Sequence, residues 1–173
     1  MDGSISVEST LHEGTTFTVT LTHRIAEHAG TKKADTQKEA LDAAVLAGIR
    51  ILLAEDNALN AEIAETILQD AGIIVEHAIN GAQALAMVEK APMGYYDLIL
   101  MDIQMPQMNG YTATHKIREL SRSDARTVPI LAMTADAFSE DIEAAMAVGM
   151  NAHLAKPLDI NLVIRTISRF LNR

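Results

Sequence analysis

Ile49-Arg50-Ile51-Leu52-Leu53-Ala54-Glu55-Asp56 is an apolar run, interrupted only by Arg50, that ends in two adjacent carboxylates. Leu98-Ile99-Leu100-Met101-Asp102 has the same form. Two later runs end in other reactive groups: Ile130-Leu131-Ala132-Met133 leads to Thr134, and Ala152-His153-Leu154-Ala155 leads to Lys156-Pro157. Apolar runs this short, without alternation, read as strands covered on both faces. The expected strands are 50–54, 73–77, 97–102, 129–134 and 152–154, and helical patterns fall between and after them at 59–71, 81–90, 110–120, 139–148 and 160–171. Gly72 and Gly149 stand where helices stop, and Pro92 follows the second helix. Strand followed by helix, five times over, predicts an α/β fold: a three-layer, doubly wound, five-stranded parallel sheet.

In such a sheet the strand C-termini converge on one crevice where ligands sit. Three carboxylates, a hydroxyl and an ammonium at that edge suit a divalent metal and a phosphoryl group. A carboxylate can attack phosphorus and hold it as a mixed anhydride. The obstacle is that both partners are anionic. Mg²⁺ removes it by bridging oxygens, and it favours one or two carboxylates plus waters and phosphate oxygens. Glu55 and Asp56 would anchor the metal, with Asp102 as nucleophile and third oxygen ligand. Lys156 would pair with one phosphoryl oxygen as a point charge, and Thr134 would donate a hydrogen bond to another. Taken alone, an acidic pair at a strand end is more often a helix cap or a solvated turn, and Asp56 or Asn57 could cap the first helix. Four strand ends with complementary groups are hard to obtain from caps.

The 173 residues allow one domain of ordinary size plus an appendage. Hydrophobic residues make up 49% but aromatics only 3%, so the core is built from aliphatic side chains and Met; Met101, Met133 and Met146 read as core filler. A net charge of -9 without a basic cluster argues against a nucleic-acid partner. The absence of cysteine removes disulfides, thiolate zinc sites and thiol catalysis, and fits a cytoplasmic location. No run of about 18 apolar residues occurs, so no membrane contact is expected of this chain, and Met1-Asp2-Gly3-Ser4 does not open a signal peptide.

Upstream of the repeating units, Ile5 and Val7, then Phe17, Val19 and Leu21, alternate with Ser and Thr around the turn Thr10-Leu11-His12-Glu13-Gly14. This predicts a β-hairpin appendage over 1–24. Residues 25–48 turn to Ala, Lys, Glu, Asp, Thr and Gln and read as a linker, which leaves 49–173 as the main domain.

The order Glu55-Asp56-Asn57, Leu98 to Met105-Pro106, Asn109-Gly110, Met133-Thr134-Ala135 and Lys156-Pro157 resembles the receiver domain of two-component signalling over roughly 49–173. The resemblance implies a flavodoxin-like sheet of order 2-1-3-4-5. It implies Asp102 as phosphoacceptor, Asp56 as direct metal ligand, Glu55 acting mostly through water, and the backbone carbonyl of Gln104 as a further ligand. It also implies a cis bond before Pro157, and a switch in which His153, where the family often has Tyr or Phe, responds to Thr134. Asn57 with Asn60 is similar to the hybrid-kinase style of receiver. Gly3 to Ser9 followed by Gly14 to Val19 resembles the last two strands of a histidine-kinase ATP-binding domain, whose remaining elements the chain lacks. A C-terminal fragment of a hybrid histidine kinase, not itself an enzyme, is therefore expected, and its parent kinase could be membrane-anchored.

The implied partners are the phosphotransfer helices of a histidine kinase or a histidine phosphotransfer protein, with Ala58, Leu59 and Ala61 as contacts. Two routes to a homodimer are open, through the last two helices or through the hairpin at a sheet edge. A rival reading is a phosphohydrolase working through an aspartyl phosphate, but Gln104 stands where such enzymes usually place a general acid. Gln104 and Asp136 flank the approach of water and would tune the lifetime of the phosphoryl group.

Overall fold

The computed structural model describes residues 3–10, 14–21, 46–134 and 139–171. The linker expected over 25–48 lies outside them up to position 45, as do hairpin-turn residues 11–13, His23, His28 and Asp136. The chain divides into two compact units, Met1–Asp35 and Thr36–Arg173.

The first unit holds the expected hairpin, β1 (Gly3–Thr10) antiparallel to β2 (Gly14–Leu21). Register pairs Ile5 with Val19 and Val7 with Phe17, and the intervening pairs are Ser4–Thr20, Ser6–Thr18 and Glu8–Thr16. Because side chains alternate across a strand, one face is apolar and the other largely hydroxyl. The four apolar residues named are 57–71% exposed.

The second unit runs β3 (Arg50–Ala54), α1 (Ala58–Asp70), β4 (Ile74–Ala78), α2 (Gly81–Lys90), β5 (Leu98–Asp102), α3 (Gly110–Glu119), α4 (Ser123–Thr127), β6 (Ile130–Thr134), α5 (Ser139–Ala147), β7 (Ala152–Ala155) and α6 (Ile160–Leu171). The five strands form one parallel sheet in the order β4-β3-β5-β6-β7, which is 2-1-3-4-5 counted within this unit. The short helix α4 is an addition to the expected elements. Arg122, just before it, donates to the carbonyls of Val88 (2.7 Å), Ala91 (2.9 Å) and Pro92 (2.9 Å), which fastens the end of α2 to this connection.

Alternation along the buried strands divides the core in two. Leu52, Ala54, Ile99, Met101, Ile130 and Ala132 pack with Ala84 and Val88 of α2 and Ala113 and Ile117 of α3. Ile51, Leu53, Leu98, Leu100, Leu131 and Met133 pack with Ala61, Ala64 and Leu68 of α1 and Val163 and Ile167 of α6. Leu46 is fully buried in this second layer, so packing extends upstream of β3. Met101 and Met133 are core residues as expected, whereas Met146 is 40% exposed on the outer side of α5 and fills no core space. No helix among the described residues is long and apolar enough to cross a membrane.

The β5–α3 loop closes tightly over the end of β5. Gly110 N–H donates to Ile103 O at 2.9 Å, and Asn109 caps α3 by accepting from Thr112 N–H at 2.8 Å. A Cβ at Gly110 would fall on the Asp102 carbonyl oxygen, a backbone atom that cannot move aside. Gly110→Ala is therefore expected to lower the urea-unfolding midpoint by the equivalent of about 1–3 kcal/mol, the usual cost of overpacking.

Candidate functional site

The same alternation that builds the core delivers the site. Glu55 follows Ile51 and Leu53, Asp102 follows Leu98 and Leu100, and Lys156 follows Leu154, all on the layer that packs against α1 and α6. The three side chains meet just above the last apolar residues. Lys156 Nζ lies 2.6 Å from Glu55 Oε2 and 2.7 Å from Asp102 Oδ2. Glu55 and Asp102 are buried, at 2% and 5% exposure, while Asp56 is exposed. One carboxylate oxygen from each of Glu55, Asp56 and Asp102 lies within 4.8 Å of the other two, so this cluster could hold a metal ion. Three hard oxygen donors with adjoining solvent are the donor set Mg²⁺ prefers.

Local structure fixes each carboxylate. Asn57, not Asp56, caps α1, its Oδ1 accepting from Leu59 N–H (3.0 Å) and Asn60 N–H (3.1 Å). Asp56 is thereby spared for other work. Asn60 Nδ2 donates to Glu55 Oε1 at 3.1 Å, a positioning contact that the sequence reading did not assign. Gln104 N–H donates to Asp102 Oδ1 at 3.2 Å. His77, half-buried on β4, has its Nε2 2.7 Å from the Glu55 carbonyl oxygen, a main-chain partner that a lone His inside a strand pattern does not announce.

Burial pushes the Asp102 carboxyl above the ordinary carboxylate range, against the opposing pull of Lys156. Burial alone would depress the Lys156 ammonium, yet Asp102 and Glu55 together hold it above its ordinary value. The Lys156–Pro157 bond is cis, and Lys156 N–H donates to Thr134 O at 2.8 Å, tying β7 to β6 at the rim. Thr134 is buried at the end of β6, next to the Asp102–Met133 register pair. His153 lies on the edge strand β7 and lines an open hollow with Arg165, Thr166, Arg169 and Phe170.

The surroundings of the cleft are partly apolar. Glu55, Asn60, Ile63, Lys156, Pro157 and Leu158 line a hollow beside α1. Leu59 is 64% exposed and Ile63 49%, one turn apart on the same helix. Ala58 is exposed as expected, but Ala61 is only 3% exposed, because it shares the core stripe of Ala64 and Leu68 and cannot meet a partner.

A doubly wound sheet with acidic groups and a lysine gathered at its carboxyl rim defines a class, the flavodoxin-like signalling receivers. The chain belongs to the response regulator receiver domain family, whose model matches residues 51–168. It is 34% identical over 169 residues, 98% of its length, to the sensor protein EvgS of Escherichia coli (strain K12), of which it spans 13%. It is 41% identical over 133 residues, 71% of its length, to hybrid signal transduction histidine kinase B of Dictyostelium discoideum, of which it spans 7%. Among solved structures it is similar to the receiver domain of sensor histidine kinase PA1611 from Pseudomonas aeruginosa PAO1, which carries a magnesium ion in its active site cleft. That match is 38% identical with a TM-score of 0.66, covering 73% of this chain and 100% of that one. It is also similar to a co-crystal structure of the histidine phosphotransfer protein Ypd1 and the receiver domain of Ssk1 from Saccharomyces cerevisiae. The identity there is 28% and the TM-score 0.64, over 72% of this chain and 90% of that one.

The raised Asp102 carboxyl has a consequence for stability. Between its ordinary value of 3.8 and its higher folded value, the folded protein binds more protons than the unfolded chain. Stability therefore falls as pH rises through that window. Asp102→Asn is expected to be more stable than the wild type at pH 7 in metal-free urea unfolding, with the difference closing as the pH falls below the ordinary carboxylate value.

Proposed function

We propose that this domain is a phosphorelay receiver within a hybrid histidine kinase, accepting a phosphoryl group from phosphohistidine on Asp102 and passing it to a histidine phosphotransfer partner. The observation that carries the reading is the Lys156 ammonium, 2.7 Å from an Asp102 carboxylate oxygen at a rim that also holds Glu55 and Asp56. In the reaction an Asp102 Oδ attacks phosphorus and forms a P–O bond. The P–N bond breaks, and the electron pair leaves with the imidazole nitrogen of the donor. Asp102 is already partly desolvated, so little water has to leave the nucleophile before it attacks, and Lys156 would move from the carboxylate to an incoming phosphoryl oxygen. Thr134, buried at the neighbouring strand end, would donate its hydroxyl to a second phosphoryl oxygen, and His153 would follow that movement at the edge of the sheet.

Glu55, Asp56, Asp102 and the Gln104 carbonyl would hold Mg²⁺. The ion supplies the positive charge that lets an anionic carboxylate approach an anionic phosphoryl group. Leu59 and Ile63, exposed beside the cleft, are the contacts proposed for the four-helix phosphodonor or phosphotransfer protein; the Ypd1-bound receiver of Ssk1 supports a partner of that kind. The hairpin, with its exposed Ile5, Val7, Phe17 and Val19, is read as the closing strands of an ATP-binding domain. Residues 25–48 are read as the linker to the receiver, and the setting as cytoplasmic.

With acetyl phosphate and Mg²⁺, the wild type is expected to form an acid-stable, hydroxylamine-sensitive phosphoprotein, and Asp102→Asn none; equal labelling of the two would refute Asp102 as acceptor. Lys156→Gln is expected to retain Mg²⁺ binding but to accumulate much less phosphoprotein. Leu59→Ser and Ile63→Ser are each expected to slow transfer from a phosphohistidine protein about tenfold, the loss of one buried aliphatic contact. Labelling by acetyl phosphate should be unaffected by either change. A parallel fall in both assays would move these residues from docking to folding.

A further inference from the structure

The β3–β4 ladder ends where the acidic pair begins. Arg50 to Ala54 pair in parallel with Ile74 to Ala78, and one rung beyond the last pair Glu55 N–H donates to Ala78 O at 3.0 Å. The next group along the rim is the Glu55 carbonyl, half of the peptide plane that joins Glu55 to Asp56. Beyond Ala78 the chain leaves the sheet: Ile79 N–H turns to Gln83 Oε1 at 2.8 Å, and Asn80 caps α2. No main-chain rung is provided for the Glu55 carbonyl by these contacts. His77 provides one from its side chain, with Nε2 2.7 Å from that oxygen.

A carbonyl can only accept, so Nε2 carries the proton and this tautomer is the one the contact requires. The other ring nitrogen, Nδ1, lies 3.8 Å from Glu65 Oε1 on α1, so the imidazole stands between β4 and the helix that follows the acidic pair. The side chain is 25% exposed. Its short contact among the described residues is with the backbone of a residue in the acidic cluster.

We propose that His77 is a positioning residue for the cation site. By holding the Glu55 carbonyl it fixes the Glu55–Asp56 peptide plane, and so sets how closely the two adjacent carboxylates converge toward Asp102. This rests on the reading of Glu55, Asp56 and Asp102 as the Mg²⁺ site. Glu55 has independent restraints on its carboxylate, from Lys156 and Asn60. The exposed Asp56 carboxylate depends far more on where its own backbone is held. Freed from His77, the carbonyl would take a water instead, which costs little stability but lets the plane rotate. Partners that orient ligands in this way typically account for 10–100-fold in metal affinity.

The test uses the 173-residue chain and four proteins: wild type, His77→Ala, His77→Gln and His77→Asn. A Gln amide nitrogen can reach the place of Nε2, whereas Asn is one methylene too short. Mg²⁺ affinity is measured by calorimetric titration, urea stability without metal, and the rate of labelling by acetyl phosphate across a Mg²⁺ series. His77→Ala and His77→Asn are expected to bind Mg²⁺ at least about tenfold more weakly, and His77→Gln to recover most of the loss. The labelling rate at saturating Mg²⁺ should stay near the wild-type plateau, with only the half-saturating concentration displaced. Unchanged affinity in His77→Ala, a plateau that falls instead, or a His77→Gln variant no better than His77→Asn would each overturn the proposal. If His77→Ala does not fold, the Gln–Asn comparison decides by the same criterion. A wild type that binds no Mg²⁺ would instead overturn the functional reading itself.

Discussion

Two carboxylates buried side by side repel each other and have lost most of their water, an arrangement that costs several kcal/mol unless a cation compensates. Lys156 is that cation for Glu55 and Asp102. Its position follows from the sheet: β7 lies beyond β6, so the lysine reaches across the end of β6 to carboxylates that leave β5 and β3. The contact joins three strands at their open ends, where the ladder's own hydrogen bonds run out. Much of the surrounding detail serves to keep these charges in register, including the Asn60 and Gln104 contacts, the tight Gly110 crossing behind Asp102 and the Lys156–Thr134 backbone bond.

The stability of the rim and its chemistry pull against each other. A carboxyl pushed above its ordinary range by burial is a charge the fold would rather not hold. Strain of this kind is expected where a polar group is retained for a task rather than for the fold. The apolar exposure of Leu59 and Ile63 has the same character, since two aliphatic side chains left in water beside a charged cleft gain nothing for the isolated domain.

Most of the architecture could be read from the chain because central strands under two layers of helices must be apolar on both faces, and β3, β5 and β6 are. The residue that ends such a run is conspicuous, which makes Glu55, Asp102 and Thr134 legible from the chain as candidates. What escaped depended on direction rather than composition. Asp56 and Asn57 are both good caps by type, and only the backbone decides that Asn57 is used. Ala61 looked like a contact, although its spacing to Ala64 and Leu68 was already that of a buried stripe. Helix α4 was hidden because Ser121-Arg122-Ser123-Asp124 has the composition of a loop, and its place is secured by Arg122 reaching carbonyls about thirty positions upstream. The contact of His77 is equally silent in the chain, since its partner is a main-chain oxygen, which no side-chain pattern reveals.

The ion pair between Asp102 and Lys156 spans 54 positions of chain, and Glu55 lies earlier still. During synthesis the acidic groups emerge first and remain without their counter-charge until the last strand has been made. A domain cut short before β7 would thus lose more than one strand: it would be left with carboxylates that the interior cannot accommodate. The cleft is in this sense a completion check, since a chain with a settled acidic rim is one whose final strand has docked.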